Sequence, residues 1–145
     1  MLSPGRMKAL KAGAVLLSIW SVLNLLVGAY VTILTLRGRT PILWMVGDEP
    51  GSPRLHAVIN AQAAFCNPLI VALCLLVLVI VWTSLVKRAR WAFWALVASL
   101  APLQLFGFLS DRFLGNHNLP ANLFSSLLLL VGLSLCDYGS RSRTA

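Results

Sequence analysis

Two side chains of this sequence, His56 and Asp111, could carry out acid–base chemistry. An imidazole changes its charge between about pH 5 and 8, so His56 could accept or release a proton at neutral pH. The Asp111 carboxylate could orient that imidazole or stabilise its charged form. Carboxamides donate and accept hydrogen bonds, so they could position a carbonyl, a hydroxyl or a lipid headgroup. The carboxamides predicted to bind a ligand in this way are Asn24, Asn60, Asn67, Gln104, Asn118 and Asn122.

The spacing of these residues predicts that they form stripes on helices. An α-helix turns about 100° per residue, so positions four, seven or eleven apart lie on nearly the same side. A polar stripe along an otherwise apolar helix marks the face that turns away from lipid. The residues that share such a spacing are Ser21 with Asn24, Gly28, Thr32 and Thr35, His56 with Asn60, Ala63 and Asn67, Gln104 with Gly107 and Asp111, and Asn118 with Asn122 and Ser125.

A structural role is the alternative for each of these residues. Amides and hydroxyls bond across neighbouring membrane helices, at about 0.6 kcal/mol per pair on average. His56 could likewise do no more than cap its helix at the membrane interface. A metal site would need His56 together with His117, and two histidines on separate elements lack the ligand spacing of known metal motifs. The sequence therefore predicts no metal and no other cofactor, and both interpretations of the polar residues stay open.

Four long apolar segments carry these residues and set the fold class. Hydrophobic residues make up 59% of the chain and charged residues 11%, with a mean hydropathy of +0.84, which excludes an ordinary soluble domain. About 20 helical residues cross the apolar layer of a bilayer. The sequence predicts an all-α integral membrane protein, a four-helix up-down bundle that forms one domain over residues 1–145. The predicted spans are about 12–36, 54–86, 91–110 and 119–137, with an outer loop over 37–53.

The distribution of positive charge predicts the orientation of the spans. Eight of the twelve basic residues precede the first span, separate the second from the third, or follow the fourth. Lys and Arg are enriched in cytoplasmic segments, so both termini are predicted to be cytoplasmic. The first apolar segment is longer than that of a secretory signal, which favours a retained span. The compact loops favour a bacterial cytoplasmic (inner) membrane, and the charge pattern follows membrane topology and gives no reason to expect nucleic acid.

In this orientation the polar stripes fall in the non-cytoplasmic half of the bundle. Polar side chains in hydrocarbon are costly and normally face the bundle interior or a wet cavity. Because 69–86 and 127–135 are almost wholly apolar, the sequence predicts a polar pocket above an aliphatic seal. Pro68 is expected to kink the second helix between these halves. Residues 42–46 of the outer loop are expected to lie in the interface, through Trp44 as an anchor or as a lid over the bundle.

Two functions of different classes follow. In the first, the pocket binds a lipid-soluble small molecule, and the protein acts on it by acid–base chemistry if His56 is catalytic. In the second, the protein is a non-catalytic accessory subunit whose polar stripes face partner membrane subunits or another copy of the chain. Membrane lipid is a partner in both. The direction of the stripes distinguishes them, because a pocket requires stripes that point inward, whereas a subunit requires stripes that point to other chains.

Overall fold

The computed structural model of the protein consists of four long helices. It describes residues 3–37, 53–114 and 119–140, with side chains except at 53–60, 63, 65 and 110–114. Each helix contains a segment long and apolar enough to cross a membrane, so the all-α, four-helix prediction is confirmed. The predicted outer loop lies almost wholly outside the described residues. The helices are α1 (Pro4–Leu36), α2 (Pro53–Ile80), which a π-helical turn (Val81–Leu85) extends, α3 (Arg90–Leu114) and α4 (Leu119–Ser140).

Helix α1 begins earlier than the apolar segment that predicted it. Pro4 lies in the first turn, where its missing N–H costs nothing, and the Ser3 carbonyl accepts bonds from the N–H groups of Arg6 and Met7. Lys and Arg are good helix formers, so the charged residues that end the apolar segment do not end the helix. The 33 residues of α1 span about 50 Å, which is longer than the apolar layer of about 30 Å.

A tight turn joins α2 to α3 where the predicted spans leave four residues, and its π-helical geometry was not predicted. The Val86 N–H donates to the Val81 carbonyl at 3.0 Å and the Ala89 N–H to the Ser84 carbonyl at 2.9 Å, each five residues back instead of four. Arg88 then adopts a φ of 65°, in the left-handed region. The chain reverses here, and α3 packs against the π-helical turn. This turn therefore fixes α2 and α3 side by side at one end of the protein.

Glycines set the short distance between α1 and α4. A Cβ atom on Gly13 would lie 2.6 Å from the Cys136 Sγ and 2.6 Å from the Gly132 carbonyl oxygen. A Cβ atom on Gly139 would lie 2.7 Å from the Leu10 Cβ. Real Cβ atoms essentially never come within 3.0 Å of such neighbours, so these two positions require glycine. Close backbone approach through small residues is how membrane helices gain packing energy, since lipid leaves little hydrophobic drive between them.

The same contact explains why α4 extends beyond its predicted end at residue 137. The backbone of Gly139 lies against α1, where an added Cβ would be 2.8 Å from the Arg6 carbonyl oxygen. The Arg6 guanidinium also lies over the Tyr138 ring, 5.6 Å from its centroid, in a cation–π contact. Tertiary packing thus outweighs the weak helix propensity of glycine, and the helix continues to Ser140.

Helix α1 lies between α2 and α4 and is antiparallel to both. As α1 proceeds from Leu10 to Trp20, the residues of α4 that it contacts run backward from Gly139 to Ser125. The contacts with α2 also run backward along α2. Helix α3 packs against α4 as well as against the π-helical turn. Consecutive helices therefore alternate in direction, in the up-down arrangement expected of the bundle.

The buried core fills one half of the bundle, here named the closed half. It comprises residues 10–21 of α1, 74–100 of α2, the π-helical turn and α3, and 126–139 of α4. Val31 of α1 is buried outside this half. Every other buried hydrophobic residue belongs to it, so an aliphatic core lies at the end that holds the turn between α2 and α3. These residues are Leu10, Ala14, Leu17, Trp20, Cys74, Val77, Val81, Leu85, Ala92, Leu96, Leu100, Leu129 and Cys136.

Replacing Gly139 with alanine should destabilise the protein, because the new Cβ would lie 2.7 Å from the Leu10 backbone nitrogen. Overpacking of this kind costs about 1–3 kcal/mol. Denaturant titration in detergent, followed by circular dichroism, measures the free energy of unfolding. Gly5→Ala is the matched control because a Cβ there meets nothing within 4 Å, and it should stay within about 0.5 kcal/mol of the wild type. Equal stability of the two variants would contradict this packing.

Candidate functional site

The residues predicted for acid–base chemistry lie at the edge of what the structure describes. His56 and Asn60 belong to helix α2 and Asp111 belongs to α3, but their side chains lie outside the described part. Asn118 lies in the gap before α4 and is also outside it. The catalytic pairing of His56 with Asp111, and ligand binding by Asn60 and Asn118, therefore stay predictions. The side chains of the other four predicted amides lie within the described part: Asn24, Asn67, Gln104 and Asn122.

Two of these amides, Asn24 and Asn122, lie at the same level on α1 and α4. The Trp20 indole N–H donates to the Ser125 hydroxyl at 2.7 Å, which fixes the register of the two antiparallel helices. One turn further along α1 is Asn24, and about one turn back along α4 is Asn122. Both residues are half-buried. The α1–α4 contact thus brings together two amides that are distant in sequence.

Asn67 on α2 joins the same level through Gly28. A Cβ on Gly28 would lie 3.6 Å from the Asn67 carbonyl oxygen and 3.1 Å from the Val71 Cγ2, so α1 and α2 approach closely there. Gly28 is one helical turn from Asn24, a rise of about 5.4 Å. Gly28 therefore lets the two helices approach closely. Asn67 itself is half-buried.

Gln104 on α3 completes the set. Its side-chain Nε2 donates to the Asn122 carbonyl at 3.2 Å, which links α3 to α4. Three residues on, Gly107 also faces Asn122, since a Cβ built there would lie 3.6 Å from the Asn122 Oδ1. Gln104 and Gly107 therefore share the face that their spacing predicted. All four helices contribute one amide to a layer about one turn thick.

This layer lies in a part of the bundle that is packed much less tightly, here named the open half. It comprises residues 24–36 of α1, 61–70 of α2, 101–109 of α3 and 119–125 of α4. Among the described side chains of α2, α3 and α4 in this half, none is buried. Among the described residues, α2 and α3 pack together mainly at the π-helical turn in the closed half. The four helices are therefore packed together at the closed end. At the level of the amides the described parts of α3 and α4 are loosely packed, while α1 and α2 still approach closely at Gly28.

The polar stripe of α1 points inward, towards the other helices of the same chain. Ser21, Gly28 and Thr35 are buried, and Asn24 and Thr32 are half-buried. On α4, Ser126 is buried and Ser125 bonds to Trp20 of α1. A subunit that presented these stripes to partner chains would expose them. The described part of both stripes has the opposite arrangement.

Several polar contacts of the closed half were missed by the sequence analysis. The Ser21 hydroxyl donates to the Cys74 carbonyl of α2 at 2.6 Å, and the Trp82 indole N–H donates to the Ser18 hydroxyl at 3.0 Å. The signal in the sequence is the three-residue spacing of Ser18 and Ser21, which places both hydroxyls near one face of α1. These bonds join helices, which is the structural role that polar residues often have in membrane bundles.

Comparison with known proteins gives no assignment, since no protein-family model, curated protein or solved structure matches the chain. The described residues also contain no group of three or more His, Cys, Asp or Glu that could hold a metal ion. Of the cysteines, Cys74 and Cys136 are buried and Cys66 is exposed, and all three are free thiols. The candidate site is therefore defined by its amides and by the low burial of the described side chains of α2, α3 and α4 around them.

The bond between Trp20 and Ser125 should contribute measurably to the α1–α4 register. A double-mutant cycle with Trp20→Phe and Ser125→Ala should give a coupling energy of about 0.6 kcal/mol, and at most about 1.7 kcal/mol. Unfolding titrations in detergent supply the four stabilities.

In the control cycle Ser99→Ala replaces Ser125→Ala. Ser99 is exposed and bonds to the Ala95 carbonyl of its own helix, so this cycle should be additive within about 0.5 kcal/mol. If the control cycle gave a coupling energy as large as the first cycle, the bond between Trp20 and Ser125 would not be the cause of that coupling.

Proposed function

We propose that this chain is an integral membrane protein that binds a lipid-soluble small molecule between the helices of its open half. One observation carries the proposal: four amides from four helices lie at one level, directly above a packed aliphatic core, where no described side chain of α2, α3 or α4 is buried. Ligand sites in helix bundles lie between helices and combine an apolar wall with a few polar groups. The packed core of the closed half would border such a site on one side.

The inward direction of the α1 and α4 stripes supports this proposal over the accessory-subunit alternative. Polar side chains that face other chains would be exposed in a single protomer, whereas Ser21 and Ser126 are buried and Asn24 and Asn122 are half-buried. The alternative draws support from the same loose packing of the open half, because a partner helix could fill that space. The two proposals therefore differ in what occupies the space beside Gln104.

Acid–base chemistry is an extension of the proposed binding function. His56 begins a stripe that reaches Asn67 after three helical turns. On α3, Asp111 shares one face with Gln104 and Gly107. In a pocket lined by these faces, His56 would hold or release the proton and Asp111 would orient it. His56→Ala that folds normally and leaves turnover of an identified ligand unchanged would remove this extension.

The proposed membrane orientation places the closed half on the cytoplasmic side. Six basic residues of the described chain lie at the closed end, before or beside the helix ends there: Arg6, Lys8, Lys11, Lys87, Arg88 and Arg90. Exposed tryptophans, Trp82, Trp91 and Trp94, lie near the same turn, as is typical of the headgroup level. We propose a bacterial cytoplasmic membrane with both termini in the cytoplasm.

Single cysteines test this orientation. In a Cys66→Ser background, Glu49→Cys should react with a membrane-impermeant maleimide in intact spheroplasts, and Lys8→Cys should react only after permeabilisation. The reason is the excess of Lys and Arg on the Lys8 side. Cys74 and Cys136 remain in this protein and are buried. The Cys66→Ser protein without an added cysteine therefore measures the background labelling. Labelling of Lys8→Cys in intact spheroplasts would reverse the orientation.

Steric blocking tests the binding function. A photoreactive long-chain alcohol with a diazirine in its chain should label residues 101–107 and 119–125 saturably in purified protein, as peptide mass spectrometry would detect. Gly107→Phe would place a ring beside Asn122 and should lower this labelling about tenfold, equivalent to about 1.4 kcal/mol. Ala98→Phe adds the same ring at an exposed position of α3 and should leave the labelling unchanged.

Two results would contradict the proposal. Labelling that never saturates and spreads over the exposed apolar faces, such as Leu127 and Leu130, would show contact with lipid alone. Native mass spectrometry that finds a stoichiometric second polypeptide, released by Gly107→Phe and retained by Ala98→Phe, would establish the accessory-subunit alternative instead.

A further inference from the structure

The two amides whose hydrogen bonds are fully described, Asn24 and Gln104, are oriented in the same way. The Asn24 Nδ2 donates to the Trp20 carbonyl at 2.8 Å, and the Gln104 Nε2 donates to the Asn122 carbonyl at 3.2 Å. A carbonyl oxygen accepts and never donates, so these bonds fix which side-chain atom is the nitrogen and which is the oxygen. In both residues the NH₂ group is the one engaged with the protein.

The side-chain oxygens of these two amides have no hydrogen-bond donor within the described part of the chain. No residue that the structure describes donates to the Asn24 Oδ1 or the Gln104 Oε1. The nearby Ser126 hydroxyl does not serve them, because it donates to the Asn122 carbonyl at 2.7 Å. An amide oxygen that is desolvated without a donor is less stable than one that accepts a hydrogen bond. A ligand at this level would therefore be held best through groups that donate.

The surroundings of these oxygens are also uncharged. The open half contains no Asp, Glu, Lys or Arg in 24–36, 61–70, 101–109 or 119–125. A charged headgroup placed there would have no counter-charge on these segments, and an unpaired charge is costly in an apolar medium. Neutral ligands are favoured for this reason.

From these observations we infer that the ligand of the open half is a neutral, lipid-soluble molecule whose polar end donates hydrogen bonds, as a hydroxyl or an amide N–H, to the Asn24 Oδ1 and the Gln104 Oε1. The inference rests on the proposed binding function and specifies its ligand class. Molecules whose polar end only accepts, such as ketones, ethers and full esters, match these two oxygens poorly, because acceptor would face acceptor.

A matched pair of probes tests this inference on the unmodified protein. The photoreactive long-chain alcohol carries one O–H donor, and its O-methyl ether has the same chain and diazirine without the donor. The alcohol should label the open half with about tenfold higher affinity than the ether. Asn24→Leu and Gln104→Leu should each reduce this preference, since each removes one acceptor. Gln62→Leu removes an exposed amide of the same half and should leave the preference intact.

The outcomes separate the inference from the binding function. Saturable labelling with equal affinity for alcohol and ether would overturn the donor inference and leave the site in place. Labelling that does not saturate for either probe would overturn both. The comparison on the wild-type protein stays decisive even if a leucine variant fails to fold, because the two probes differ only at the hydroxyl hydrogen, the hydrogen-bond donor that the ether replaces with a methyl group.

Discussion

The close approach of α1 and α4 is the constraint on which the rest of the structure depends. Gly13 and Gly139 let the two backbones come so near that a methyl group would collide with Cys136 or Leu10. Along this contact the Trp20 indole N–H donates to the Ser125 hydroxyl, which fixes the register of the two helices. Because lipid provides little hydrophobic drive for helix association, such contacts supply much of the packing energy of a membrane bundle.

The register divides the bundle into two halves with different properties. In the closed half, aliphatic and cysteine side chains are buried between all four helices, and polar groups such as Ser21 bond across them. In the open half, the amides lie level with one another and the described side chains of α2, α3 and α4 are at least partly exposed. A rigid end and a loosely packed end are what a binding site within a small bundle requires, because the rigid end holds the polar groups of the site in place.

Much of the fold could be predicted from the sequence, and the reasons for the failures are physical. Apolar segments of about 20 residues or more identified the four helices, and the predicted start of the second span, at about residue 54, lies within one residue of the start of α2 at Pro53. The role of Gly13 and Gly139 was missed, because a glycine in an apolar run shows its purpose only when the partner helix, more than a hundred residues away, is known. The π-helical turn at Val81 left no pattern among apolar residues. For the site, helical spacing placed Gln104 with Gly107, whereas the orientation of the Gln104 amide depends on the Asn122 carbonyl, which spacing alone does not reveal.

The central claim is that the space bounded by Asn24, Gln104 and Asn122 is a ligand site within one chain. An experimental structure of the protein in lipid nanodiscs, determined by electron cryomicroscopy with a bound antibody fragment, tests this most directly. We expect density for one small molecule in the open half, next to Trp20 and in contact with the Asn24 and Gln104 side-chain oxygens. Density there for apolar side chains of the same chain, or for the helix of a second polypeptide, would contradict it.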